Sequence, residues 1–206
     1  MAVNHEVKGQ LARLLATEDL IVEHKKVSTA CFNVHSRVLT LPLWEKASGA
    51  IYDLLVAHEV GHALYTPDEN WLKEYKIPPS FVNIVEDVRV EKLMKRRYAG
   101  LNKTMHRGYK EFHEDDFFSI GEEDPNGYNL ADRVNLHYKI GAFVEIKFDD
   151  EEKTLVKLIG DCETFEDVLK AAELLYDHCK QEKVEDISAE GCEMSGNQDG
   201  QASDFV

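Results

Sequence analysis

The segment 56–64, VAHEVGHAL, constrains this chain more than any other. It sets His58 and His62 four residues apart with Glu59 beside the first, amid Ile51, Leu54, Leu55, Val56, Ala57, Val60, Ala63 and Leu64. A stretch this apolar on all sides reads as a buried helix, running from about Ser48 to Tyr65 and stopped by Pro67. Residues four apart on a helix stand on one face, so both imidazoles can address one point. Burying two imidazoles and a carboxylate without partners costs several kcal/mol. A metal ion removes that cost, because it gives both rings a common ligand role and the carboxylate a water to hold. Zinc fits nitrogen ligands in this pattern and lowers the pKa of its water toward neutrality; Glu59 then acts as general base. Gly61, costing about 1 kcal/mol in a helix interior, predicts a close approach by another backbone.

Two histidines and a water leave a tetrahedral ion one protein ligand short. A second helix, about 79–98, with Ser80 as its cap and Gly100 beyond its end, carries NIVEDVRVE over residues 83–91. Glu86 and Asp87 lie 24 and 25 positions after His62, with Asn83 about a turn earlier and Glu91 about a turn later. Glu86 is the expected third ligand. Asp87 and Asn83 are expected in the layer behind, Asp87 fixing a histidine tautomer. The alternative for Glu86 is an ion pair with Arg89 or Arg97 on a solvated face.

Elsewhere the pattern predicts a mainly helical α+β fold with one small β-hairpin. Residues 6–24 read as an amphipathic helix, 28–44 as a hairpin turning at His35-Ser36, and 101–126 as mostly loop with short helical pieces. Helices are expected over 127–143 and 164–181. The domain is thus 1–181, with an acidic, disordered tail over 182–206.

Charge sharpens this division. Of the net −15, residues 145–206 carry 18 acidic and six basic side chains. Residues 92–110 hold seven Lys or Arg and no acid, interleaved with Tyr98 and Tyr109, yet a chain of pI about 5.0 is a poor nucleic-acid binder. Cys31, Cys162, Cys179 and Cys192 are scattered, as expected of reduced thiols. No run approaches a membrane span or a secretion signal, so the expected location is cytoplasmic.

VAHEVGHALYTP and FVNIVEDVRVEKLMKRRYAGL together resemble a family of zinc metallopeptidases found in phages and in bacterial proteins bearing a von Willebrand A domain. GYKEFHEDDFF and NLADRVNLHYKIG are similar to the later stretches of the phage-type members, so the resemblance covers roughly residues 10–180. It implies a zincin-like, gluzincin-like hydrolase with His58, His62 and Glu86 holding Zn2+ and Glu59 as base, acting in the host cytoplasm if phage-encoded. Two departures stand out. Gluzincins carry a carboxylate four residues after the ligand Glu, and here that position is Val90. Larger members continue into a von Willebrand A domain, for which a separate protein partner is the expected replacement.

Such a peptidase also needs a donor for the developing oxyanion. Tyr98, His106, Tyr109 and His137 are candidates, with His137 preferred. The hairpin over 29–41 offers an edge to which an extended peptide substrate can add. A different reading keeps the fold as a protein-interaction module with a structural metal; direct nucleic-acid binding ranks below both.

Overall fold

A computed structural model of the chain describes residues 4–17, 20–44 and 47–190, the last eight as backbone only. Among these residues it is α+β: seven α-helices and one three-stranded sheet. Helix α1 (His5–Ala16) starts at Asn4, whose side chain accepts from the Glu6 and Val7 amides. Its expected extension to residue 24 does not form. The chain turns at Thr17, in the left-handed region at φ 58°, and enters strand β1 (Ile21–Lys25). β-Branched Ile21 and Val22 suit a strand, and β1 pairs in parallel with β3 (Val38–Pro42).

The expected hairpin is present. Strand β2 (Cys31–Asn33) pairs antiparallel with β3, Phe32 opposite Leu39, which makes the sheet order β1-β3-β2 with β2 at an edge. Asn33 accepts from the His35 and Ser36 amides through its side chain, and Arg37 takes the left-handed conformation that closes the turn.

Helix α2 (Gly49–Tyr65) is capped by Ser48, whose hydroxyl accepts from the Ala50 and Ile51 amides. Twelve of its 17 residues are buried, so it is the central helix that its composition predicts. Helix α3 (Pro79–Arg97) packs beside it. Gly61 marks the crossing, but what a Cβ there would meet is the side chains of Val90 and Met94, at 3.2 and 3.1 Å, rather than a backbone.

Residues expected as loop form helix α4 (Leu101–Glu114). Met105, Gly108, Tyr109 and Phe112 make a buried stripe at helical spacing, and Gly108 lets α2 pass close by. Helix α5 (Leu130–Ile140) lies within the expected 127–143, and α6 (Asp150–Asp161) opens on a capping box between Asp149 and Glu152. Helix α7 (Phe165–Glu190) runs beyond the expected boundary at 181; residues 191–206 lie outside the described part.

Two apolar cores result. One joins α1, the sheet, α2 and α4; the other joins α5, α6 and α7 to the first half of α3. The α2–α3 contact lies where they meet, and it carries the polar residues of the opening motif.

Candidate metal centre

His58, His62 and Glu59 project from α2, and Asp87 and Glu91, four apart, stand on the facing side of α3. His58 Nδ1 lies 3.1 Å from Glu91 Oε1. Burial pushes the Glu91 carboxyl up, but hydrogen bonding to His58, the Lys95 ammonium and the Tyr109 hydroxyl hold it down at about 2. An ionised Glu91 only accepts, so His58 donates through Nδ1–H. His62 Nδ1 lies 2.9 Å from Thr66 Oγ1. The Thr66 hydroxyl spends its proton on Glu86 Oε1, 2.5 Å away, so His62 donates through Nδ1–H as well.

Both histidines are therefore turned with Nε2 inward. Asp87 Oδ1 sits 3.2 Å from His62 Nε2 and 3.5 Å from His58 Nε2. Three electron-pair donors thus converge, and they are a group whose spacing can hold one metal ion. Ligands 2.0–2.1 Å from a tetrahedral zinc stand roughly 3.3–3.4 Å from one another, close to these separations. Without a cation the convergence is repulsive. Burial disfavours a charged ring, yet the Asp87 and Glu91 carboxylates raise His58 to about 10, so a proton fills the role in the metal-free protein.

Glu86 is placed differently from the sequence expectation. Its carboxylate accepts from Arg89 Nε and Nη2, both at 2.7 Å, and from Thr66. Arg89 continues to the Tyr65 carbonyl at 2.7 Å, which ties α3 to the end of α2. This is the expected alternative ion pair moved indoors: Glu86 and Arg89 are both buried. Asp87 thus faces the imidazoles, where the sequence reading had set Glu86, and Glu86 lies in the layer behind. One helical step, about 100°, turns Asp87 toward the imidazoles and Glu86 toward Thr66. With Asp87 facing the rings, the carboxylate four residues on is Glu91, where counting from Glu86 meets Val90. Asn83 is exposed and outside this network.

Glu59 is buried at 4% exposure and, among the described residues, makes no hydrogen bond or ion pair. Burial raises its carboxyl pKa, with His58 and His62 opposing. It borders a cavity of about 40 Å³ with His58, Thr29, Leu54, Leu55, Tyr109, Phe112, Phe117, Phe118 and Lys139. That volume admits one or two waters. Thr29 lies just before β2, so the sheet edge begins beside the carboxylate.

Of the proposed oxyanion donors, Tyr109 borders the cavity but gives its proton to Glu91. Tyr98 donates to the Leu15 carbonyl at 2.8 Å, and His106 packs on Phe143. His137 lies edge-on to Phe148, with its pKa lowered by burial, and does not border the cavity. The residue of α5 that does is Lys139, 10% exposed, with Nζ 3.0 Å from Asp87 Oδ2. A lysine amid Tyr138 and Ile140 gave no motif to find it by; Glu91 was signalled by its helical spacing from Asp87.

Part of the basic run, on α3, is spent on structure, while Lys103, Arg107 and Lys110 on α4 are exposed. Lys92 donates to the Gly160 and Cys162 carbonyls, Lys95 pairs with Glu91, and Arg96 with Glu163. Cys31, Cys162 and Cys179 are free thiols. No helix among the described residues is long and apolar enough to cross a membrane. No family model, curated protein or solved structure matches the chain.

Proposed function

We propose that the protein is a zinc-dependent hydrolase, a metallopeptidase of zincin-like type, with His58, His62 and Asp87 as ligands and Glu59 as general base. The observation that carries this is the convergence of His58 Nε2, His62 Nε2 and Asp87 Oδ1 beside a buried, unpaired carboxylate. A purely structural site has no use for Glu59; a hydrolytic one needs a base there, with its pKa raised toward the working range. When bound, the ion supplies the Lewis acidity that lets water attack near neutral pH. Glu59 takes the proton of that water and returns it to the leaving amine. Glu91 and Thr66 keep both imidazoles turned inward, and Tyr109 holds Glu91. The β2 edge offers an extended peptide its main-chain partners. A cytoplasmic setting belongs to the same reading.

A second reading, a protein-interaction module with a structural metal, draws on one observation. The cavity is about 40 Å³ and walled by Phe112, Phe117 and Phe118, so a peptide enters only if that wall moves. Glu59→Gln separates the two. The variant is expected to keep one zinc per chain and lose about 10²–10⁴-fold in hydrolysis of a peptide library. Wild-type protein that holds zinc and cleaves nothing supports the module.

A further inference from the structure

Asp87 divides its two oxygens. Oδ1 faces both histidine Nε2 atoms, at 3.2 and 3.5 Å, while Oδ2 accepts from Lys139 Nζ at 3.0 Å. Lys139 comes from α5, a different element from either ligand helix, and its side chain is only 10% exposed, as Asp87's is 9%. We infer that Lys139 is a positioning residue which holds Asp87 Oδ2 and so limits Asp87 to one ligating oxygen. This rests on the metal-site reading above and adds a role to it.

A carboxylate with both oxygens free can chelate a divalent ion, filling a position that a hydrolase must leave to water. A charge-assisted hydrogen bond from a buried ammonium is among the stronger polar contacts in proteins. Burial of both partners keeps water from competing for Oδ2. Lys139 also settles the charge of the cavity. Of the three carboxylates around the histidines, Glu91 has Lys95 and Asp87 has Lys139. Glu59 alone has no ion pair among the described residues, which leaves it open to water. Lys139 and Glu59 border the same cavity, so the residue that holds one carboxylate away stands beside the one that stays free.

The test uses Co2+ in place of zinc in the full chain, with the visible absorption band reporting coordination number. Wild-type protein is expected to bind one Co2+ with the intense band of a four-coordinate ion. In Lys139→Met, which keeps length and loses the charge, Asp87 is freed to chelate, and the band should weaken several-fold. Lys139→Arg should restore most of it. An unchanged spectrum in folded Lys139→Met overturns the inference and leaves the metal site standing. If that variant does not fold, the wild-type spectrum decides, a weak five- or six-coordinate band overturning the inference. Wild-type protein that takes up neither Co2+ nor zinc overturns this inference and the metal-site reading together.

Discussion

His58 and His62 each commit Nδ1 to a fixed acceptor, and this aims both Nε2 atoms at Asp87. Glu86 supports that arrangement from behind, accepting from Thr66 and Arg89. Glu86→Gln leaves the buried Arg89 without its partner and should cost about 3–5 kcal/mol in chemical denaturation. It should still bind one zinc per chain, whereas Asp87→Asn should lose the zinc, and should also lose stability because Lys139 is left unpaired. Protonation gives a separate check. His58 is raised from 6.5 to about 10, so in chelator its contribution to stability is complete below about pH 6.5 and fades as pH rises toward 10. Glu91 is depressed from 4.5 to about 2, so its contribution is complete above 4.5 and fades as pH falls to 2. Thermal melts in chelator should therefore peak between about pH 4.5 and 6.5, and zinc should flatten the alkaline limb. That His58 and His62 share one face of α2 was legible because their spacing is local. Which of two adjacent carboxylates faced it was not, since that depends on the rotation of α3 about its own axis.

Helices α2 and α4 cross at Gly108, where a Cβ would stand 2.7 Å from Leu54 Cβ and 3.1 Å from the Ala50 carbonyl. Gly108→Ala should therefore push α4 off α2 and cost about 1–3 kcal/mol, despite alanine's better helix propensity. Gly100→Ala, with nothing within 4 Å, should change stability by about 0.5 kcal/mol or less. Denaturant titration of the two variants tests this. That close crossing also explains why α4 was read as loop: its glycine is set by a neighbouring helix. Strand β1 was hidden for a related reason. Its apolar residues continue the period of α1, and only the parallel partner β3, 17 residues further along in register, draws them into a strand. Helices with local caps, α2 at Ser48 among them, were legible near their starts.

At the scale of the molecule, the two apolar cores meet at a polar seam that neither fills. Carboxylates, imidazoles and an ammonium from α2, α3 and α5 gather there, and the basic end of α3 is consumed by Glu163 and the carbonyls that end α6. The charge asymmetry was thus legible as composition, while its use in packing needed the fold. The seam is costly to bury unless a cation completes it. Calorimetric titration of zinc into the chelator-stripped full chain tests this most directly, run at pH 8 in two buffers of different ionisation enthalpy. One zinc per chain is expected, with about one proton released as zinc replaces the proton on His58, and loss of binding in Asp87→Ala. Absence of saturable binding, or binding undiminished in Asp87→Ala, would contradict this expectation.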